Sequence, residues 1–245
     1  MTKLSLIAAA ALMTVPATLP AQDDFGIWAT AGVEKKIDKK WSVGAEAEYR
    51  SRDNLQQTDR WSIGVETKYR IFPWLKAGAG YDFIYANNPE HTTYKKSGRI
   101  NKIRSSWWGP RHRLHFDLTG SLHLGRFGLS LRERWQYTYR ASESSVARYD
   151  CDDEEWETCS VRGKGKNVLR SRLMAEYDIP HIPVTPYVSA ELYNAWSVVK
   201  VRYTAGADWK VSKHHSIGIY YRYIHTSDED DTNSHILGAT YKFRF

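Results

Sequence analysis

The chain has 245 residues and a formal net charge of +7. Its hydrophobic residues, 42% of the total, interleave singly with charged ones, which excludes a soluble helical core because such a core needs apolar stripes at helical spacing. Aromatic residues make up 13% of the chain, and the 10 Trp and 16 Tyr among them favour membrane interfaces. A soluble β-protein rich in aromatic residues is the alternative.

The N-terminal residues have the three parts of a secretory signal peptide: Lys3 gives a positive start, residues 4–15 an apolar stretch, and residues 17–22 a zone of small residues for cleavage. We predict cleavage near Ala21, so that residues 1–21 are the signal peptide and residues 22–245 form one barrel domain. No later window reaches the roughly 18 uncharged residues that a transmembrane helix needs. Export argues against a nucleic-acid partner, and the positive charge then favours sugar acids, phosphates or lipopolysaccharide as anionic partners.

Beyond the signal, the hydrophobic pattern has a period of two residues, as where Trp61, Ile63 and Val65 alternate with Ser62 and Gly64. This alternation predicts eleven strands, at residues 25–33, 41–50, 60–71, 75–85, 114–124, 127–139, 169–179, 188–192, 199–211, 217–223 and 237–245. Segments of about ten alternating residues fit a tilted strand that crosses a bilayer, whereas strands of soluble sandwiches are usually shorter. Aromatic residues gather near the strand ends, which is typical of a lipid-facing barrel.

The connections between these strands alternate in length. Short ones lie at residues 38–40, 72–74, 125–126, 180–183 and 212–214; the others lie at 53–58, 87–108, 141–166 and 227–233, with a short exception at 194–197. The fold class is therefore predicted to be all-β, a transmembrane antiparallel β-barrel of about 10–12 strands with short periplasmic turns and long extracellular loops. Bacterial single-chain barrels normally have an even number of strands. Either residues 25–33 thread differently, or a long loop contains a further strand.

Several stretches resemble an exported family catalogued as domain of unknown function 2490. They are DDFGIWATAGVEKKI from Asp23, KKWSVGAEAEYRSRDN from Lys39, WGPRHR from Trp108, LSLRERWQYTYR from Leu129, GKGKNVLRSRL from Gly163, ELYNAW from Glu191, YYRY from Tyr220, and YKFRF at the end. The resemblance covers nearly all of the predicted mature chain. It implies an outer-membrane-type barrel with no assigned activity, and it transfers no catalytic residue.

The last strand places Tyr241, Phe243 and Phe245 on one face and ends the chain in an aromatic residue with a free carboxylate. This arrangement looks like the C-terminal signal that the barrel-assembly machinery reads, because an exposed strand edge can add to a partner sheet before the barrel closes. An ordinary amphipathic strand that happens to end in Phe is the alternative.

The polar face of the predicted strands is rich in arginine. If this face points inward, the candidate lumen residues are Arg50, Arg60, Arg70, Arg111, Arg113, Arg132, Arg134, Arg170, Arg172, Arg202 and Arg222. Rings of Arg and Lys favour anions in a pore. Pairing of these arginines with carboxylates across strands would instead fill a narrow barrel, and the two interpretations are equally weighted.

Two smaller features could carry chemistry. Glu133 lies at a position where the alternation of its strand predicts a lipid-facing residue, and a carboxylate is unfavourable there. We expect either a β-bulge or an ion pair with Arg132 or Arg134 to accommodate it, with a functional lateral site as the alternative. His214 and Ser216 are two residues apart, as in barrel-embedded lipid hydrolases, but they lie at a predicted periplasmic turn.

The segment at residues 150–157 is acidic and is predicted to be a solvated surface loop rather than a weak calcium site. Cys151 and Cys159 suit an oxidising compartment and could close a small disulfide loop, with free thiols as the equal alternative. A single cysteine pair without a nearby histidine predicts no metal or redox site there.

These observations predict a non-enzymatic protein without a cofactor in the outer membrane of a Gram-negative bacterium. The leading hypothesis is a small-solute pore with a cationic lumen. A structural, envelope-integrity barrel with a plugged lumen is the alternative, and a lipid-modifying hydrolase is a remote one. The expected partners are outer-membrane lipid and lipopolysaccharide, and the barrel-assembly machinery during biogenesis, with no nucleic acid.

Overall fold

The computed structural model describes residues 23–227 and 232–245. The predicted signal peptide, residues 1–21, lies outside this part of the chain, as does residue 22 of the predicted barrel domain. Within the described residues, no helix is long and apolar enough to cross a membrane.

Alternating sequence patterns give long, regular strands. They are β1 (Asp24–Lys36), β2 (Trp41–Arg52), β3 (Gln57–Phe72), β4 (Leu75–Asn88), β5 (His91–Tyr94), β6 (Ile100–Arg104), β7 (Trp107–Leu124), β8 (Phe127–Arg140), β9 (Glu143–Asp150), β10 (Glu155–Val161), β11 (Lys164–Tyr177), β12 (Val184–Asn194), β13 (Val198–Lys210), β14 (His215–Thr226) and β15 (Ser234–Arg244).

Eleven of these strands form one closed barrel in the order β1-β15-β14-β13-β12-β11-β8-β7-β4-β3-β2. Each corresponds to one of the predicted strands, so the predicted fold class is confirmed. The expectation of an even number is wrong, and the reason lies at the closing pair. There β1 runs parallel to β15, with Asp24 opposite Ser234 and Glu34 opposite Arg244, whereas every other neighbouring pair in the barrel is antiparallel. An odd number of strands in up-and-down order closes only with one such parallel pair.

The two ends of the barrel differ in their connections. Residues 37–40, 73–74, 125–126, 178–183 and 211–214 form the end that we call the turn end, where the chain also finishes at Phe245. The loop end carries the other connections and the start of β1. One predicted long loop is tight: residues 53–56 turn back at once, with the Gln56 N–H donating to the Asp53 carbonyl at 2.9 Å and with positive φ angles at Asp53, Asn54 and Leu55.

The two longest connections, residues 89–106 and 141–163, do contain strands, but these strands stay outside the barrel. They form a four-stranded sheet in the order β10-β9-β6-β5, which we call the loop sheet. It meets the barrel through a small apolar cluster of Trp107, Val146 and Val161, the first of which begins β7. The sequence analysis offered a further strand within a long loop as one explanation of the odd strand number. The long loops do contain strands, but these strands do not join the barrel and leave its strand number at eleven.

The acidic segment 150–157 is a hairpin of the loop sheet in which Asp150, Asp152 and Glu157 are ion-paired. Lys102 Nζ lies 2.6 Å from Asp150 and 3.1 Å from Glu157, and Arg148 Nε lies 2.8 Å from Glu157. Hydrogen bonds from Lys102 lower the pKa of Asp150, and those from Arg148 and then Lys102 lower the pKa of Glu157. Basic neighbours therefore occupy the carboxylate oxygens of Asp150 and Glu157, which a calcium ion bound to this segment would otherwise use.

Both cysteines of this hairpin are free thiols. Cys151 lies in the turn after β9, whereas Cys159 lies in β10 opposite Val146, four residues beyond the Glu155–Asp150 pair. At about 3.4 Å per residue, this offset is far larger than the ~7 Å between Cα atoms that a disulfide can bridge. The register thus keeps the two thiols apart, and the disulfide alternative is not realised in this structure.

The outer surface of the barrel is apolar. Ile63, Val65 and Leu118 are 59%, 57% and 51% exposed, and they represent the parity that the sequence pattern assigned to lipid. Aromatic rings pair across neighbouring strands on this surface, as in Tyr49 with Trp61 at 4.6 Å between centroids. Such a surface is stable only where lipid covers it.

Candidate functional site

The interior of the barrel collects the predicted arginines, because alternate residues of every strand point inward. Arg50, Arg60, Arg111, Arg113, Arg170 and Arg202 line a cavity in the half of the barrel near the loop end, which we call the outer cavity. Arg132, Arg134 and Arg172 line a cavity in the other half. Arg222 contacts the inward ring of Trp28. Arg70 is the exception: it is exposed in the last residues of β3, beside the turn end, and lines none of these spaces.

One carboxylate, that of Glu191 on β12, gathers several basic side chains in the middle of the lumen. Arg132 donates to its Oε1 at 2.7 Å, and Arg170 donates to both of its oxygens at 2.9 Å. Tyr193 donates its hydroxyl to Oε2 at 3.0 Å, and Arg202 Nη1 lies 3.8 Å from the same oxygen. We call these five residues the lumen cluster. It links the four neighbouring strands β8, β11, β12 and β13 on the inner face of the barrel.

An aromatic ring fills the space beside this cluster. Trp28 of β1 is 5% exposed, and the guanidinium carbons of Arg50, Arg202 and Arg222 lie 3.4, 5.1 and 4.8 Å from its ring centroid. Cations at such distances are attracted to the ring face. The ring therefore connects β1 to side chains of β2, β13 and β14. The sequence analysis did not identify Trp28 as a lumen residue. It is an apolar residue at an inward-facing position, where the alternating pattern predicts a polar one, so it only made the pattern of β1 less regular.

Further ion pairs lie on the other side of the lumen cluster. Arg134 Nη2 is 2.9 Å from Asp117, whose other neighbour His115 is at 3.6 Å. The His115 side chain is 4% exposed and also lies 3.9 Å from Asp82. The Glu191 side chain is likewise only 7% exposed, so these charged groups are largely shielded from solvent.

The outer cavity has a volume of about 380 Å³ and an unbalanced charge. Ten basic residues and no carboxylate line it: Arg50, Arg60, Arg111, Arg113, Arg140, Lys164, Lys166, Arg170, Lys200 and Arg202. Glu48 pairs with two of them from outside the lining, at 2.7 Å from Arg50 and 3.2 Å from Arg60. Four of these cations, Arg140, Lys164, Lys166 and Lys200, were absent from the predicted lumen arginines because they come from strand ends beside the loops or are lysines.

The cavity at the turn end has the opposite character. It has a volume of about 470 Å³, and four carboxylates, Glu46, Glu176, Asp178 and Asp208, line it beside Arg126, Lys210, Lys242 and Arg244. Acids and bases balance there, so the cationic surplus of the lumen is concentrated near the loop end. The sequence could predict the surplus but not its uneven distribution, which depends on how the strands are staggered.

The residues proposed for lipid hydrolysis do not form a catalytic pair. His214 Nδ1 lies 2.6 Å from the Arg244 carbonyl, while Ser216 faces the lumen and its hydroxyl approaches the Lys242 carbonyl at 3.5 Å. Each is engaged with the backbone of β15 rather than with the other. Within residues 23–227 and 232–245, no group of three or more His, Cys, Asp or Glu side chains is placed to hold a metal ion.

Glu133 obtains its partner from a neighbouring strand. The Ser171 hydroxyl of β11 donates to Glu133 Oε2 at 2.6 Å. The ladders on both sides of β8 run without a register shift, so the predicted bulge is wrong. The predicted arginine partner is also wrong, because Arg132 and Arg134 point inward to Glu191 and Asp117. A hydrogen bond within the sheet thus satisfies the one carboxylate on the lipid-facing parity of β8.

The three aromatic residues of the candidate assembly signal lie together at the turn end. Tyr241 and His215 Nδ1 form a hydrogen bond of 2.7 Å, and the rings of Phe243 and Phe245 are 5.4 Å apart. The backbone N–H of Phe245 donates to the Glu34 carbonyl at 3.0 Å. The end of the chain therefore forms part of the parallel seam between β1 and β15.

A closed barrel with an apolar outer surface, a charged interior and one end of short turns defines an outer-membrane-type β-barrel protein. Its fold is similar to that of the β domain of the Bordetella autotransporter Brka, with a TM-score of 0.51 and 12% identity over 76% of this chain and 77% of that chain. At this identity the similarity shows the fold alone. A family model described as Protein of unknown function (DUF2490) matches residues 25–235; the chain belongs to this family, and the resemblance seen in the sequence is confirmed. A search of curated proteins finds no match.

Proposed function

We propose that this protein is a non-enzymatic outer-membrane barrel whose resting lumen is closed to solutes, as in the envelope-integrity hypothesis. The observation that carries the proposal is the lumen cluster at mid-height. A hydrated passage would leave the inward side chains accessible to water, whereas the Glu191 side chain is only 7% exposed and that of Arg202 11%. A barrel of this size lies between small barrels that side chains fill and large barrels that hold a water-filled channel. The inward side chains therefore determine whether the lumen is open.

The ion pairs of the cluster favour a lasting closure over a loose one. Arg132 and Arg170 each lie within 2.9 Å of the Glu191 carboxylate, and their side chains are 13% and 14% exposed. Charge-assisted hydrogen bonds that are shielded from water contribute about 1.5–3 kcal/mol each. Opening a passage would require several of these bonds to break at once.

A weakly anion-preferring pore is the second candidate, and the cationic lining of the outer cavity favours it. In this role the lumen cluster would be a gate, because anions that enter from the loop end would meet it before they reach the balanced cavity beyond.

Recordings from planar bilayers that contain the refolded full chain distinguish the two candidates. The closed barrel gives no conductance steps, while the pore gives steps that carry anions in preference to cations. The matched variant is Glu191→Gln, which keeps the shape of the side chain and removes the charge that holds the cluster. Stable anion conductance of the wild-type protein would overturn the closed-barrel proposal. Silence of both proteins, with folding confirmed by heat-modifiable migration, would exclude the pore.

For biogenesis we propose export through a signal peptide at residues 1–21 and insertion by the barrel-assembly machinery, which would read Tyr241, Phe243 and Phe245. The turn end would then face the periplasm, and the loop sheet would face the lipopolysaccharide of the outer leaflet. Deleting Phe245 should reduce the heat-modifiable form in outer-membrane fractions several-fold. Replacing Phe72, an exposed aromatic residue at another turn, with Ala is the control.

A further inference from the structure

We infer that the outer cavity binds a multiply charged phosphate ester, and that a phosphorylated sugar is the ligand class it fits. This goes beyond the closed-barrel role, since a barrel can be sealed at mid-height and still bind a ligand above the seal. The first observation is the charge surplus. Of the ten basic residues that line the cavity, Arg111, Arg140, Lys164 and Lys166 have no carboxylate within ion-pair distance among the residues that the structure describes.

The second observation is that part of this surplus is partly desolvated. Arg111 and Arg140, which have no carboxylate partner, are both partly buried, and their Nε atoms are shielded from solvent without a hydrogen-bond partner in the described chain. Removing a charge from water costs free energy unless an opposite charge compensates it. An anion that contacts the terminal nitrogens of these guanidinium groups would supply that compensation.

The chemistry of the lining selects the ligand class. Guanidinium groups are planar and match the oxygens of a phosphate in pairs, whereas a small halide would meet only one or two of the cations. Because the cations are distributed around the wall of the cavity, a ligand with two or more charged groups could contact several of them at once. Gln136 and Thr138 add neutral polar groups that suit sugar hydroxyls, and Tyr193 adds an aromatic ring. The volume of about 380 Å³ lies at the small end of known ligand pockets.

Phosphorylated sugars of this kind have two sources at the loop end, a free solute and the phosphates on lipopolysaccharide. Both present the same chemistry to the outer cavity. They differ in whether the ligand is already a component of the membrane around the barrel, and this difference can be used in the test.

The test is isothermal titration calorimetry of the refolded full chain with fructose 1,6-bisphosphate as the probe and unphosphorylated fructose as the reference. The bisphosphate should bind saturably and the unphosphorylated sugar should not. Affinity should fall as salt rises, because the contacts are ionic. Absence of saturable bisphosphate binding at up to about 1 mM, the weak end of specific affinities, would overturn the proposal.

The variant Arg111→Gln/Lys166→Gln should weaken binding at least about tenfold, since each charged hydrogen bond to phosphate contributes about one order of magnitude. The matched control is Arg126→Gln/Lys210→Gln, which removes the same charge from the turn-end cavity and should leave affinity within about twofold. An equal loss of affinity in the two double variants would mean that the bisphosphate is attracted by the net charge of the protein, and it would overturn the proposed site. Lys164→Gln alone, at an exposed position, serves if the double variant does not fold.

The same titration, carried out in vesicles with and without lipopolysaccharide, distinguishes a free solute from lipopolysaccharide as the natural source of the phosphate. If lipopolysaccharide phosphates occupy the outer cavity, its presence lowers the apparent affinity for the bisphosphate at least about tenfold by competition. Unchanged affinity supports a free solute. The outcome is independent of the bilayer recordings, because a site above the seal binds whether or not the barrel conducts.

Discussion

The lumen cluster makes Glu191→Gln the most informative single change. The substitution keeps the volume of the side chain, so it creates no cavity, but it removes the negative charge that Arg132 and Arg170 contact within 2.9 Å. Removing one partner of a buried ion pair typically costs about 3–5 kcal/mol, because the remaining charges stay buried without compensation. Solvent screening reduces this value little, since the three side chains are between 7% and 14% exposed. We expect the free energy of unfolding to fall by about 3–5 kcal/mol.

Urea unfolding of the barrel in vesicles, followed by tryptophan fluorescence, measures this change. Glu176→Gln is the matched control, because Glu176 also points into the lumen but makes no ion pair with the described residues. It should lower stability by less than about 1 kcal/mol. Equal losses in the two variants would refute the idea that Glu191 holds the arginines of the lumen together.

Three other changes test separate parts of the structure. Trp28→Ala removes the ring that three guanidinium groups contact, so it should cost about 3–5 kcal/mol and allow ion conductance in planar bilayers; a silent, folded variant would contradict a sealing role. Ser171→Ala leaves Glu133 without its donor and should cost about 1–3 kcal/mol in urea unfolding, whereas Ser130→Ala should be neutral. The lowered pKa of Glu157 stabilises the loop sheet above the usual pKa of 4.5, and this contribution is lost as the pH falls through the lower folded value. Hydrogen exchange of the loop sheet, residues 91–104 and 143–161, should therefore quicken in acid before that of the barrel, and Lys102→Gln should remove much of the difference.

Much of the barrel was predictable because each strand carries its own signal. The alternation of Trp61, Ile63 and Val65 with polar residues is a local property, and it fixes both the strand and the face that meets lipid. The same holds for the inward arginines of β8 and β11, which follow the opposite parity. Arg70 was wrongly predicted to line the lumen. The alternation of a strand indicates which face a residue is on but not how far along the barrel axis it lies, and Arg70 lies beside the turn end.

The features that the sequence did not predict depend on pairing between distant segments. The parallel seam joins Asp24 to Ser234, and nothing local in either strand tells the direction of its neighbour. The loop sheet arises because β6 pairs with β9 from another loop. Trp28 and the partner of Glu133 were missed for the same reason, since each owes its environment to side chains on other strands. Charge surplus is visible in composition, but its position needs the stagger of the whole barrel.

The parallel seam has a consequence for rearranging the chain. In a barrel closed by an antiparallel pair, the first and last strands end side by side, and a short linker could join them to make a circular permutant. Here Asp24 and Phe245 lie at opposite ends of neighbouring strands, with β15 running eleven residues from Ser234 to Arg244 between the two levels. At about 3.3 Å per residue, a joining linker would have to cover roughly 36 Å. Such a linker would have to cross the bilayer or pass through the lumen, so the parallel seam disfavours circular permutation of this chain.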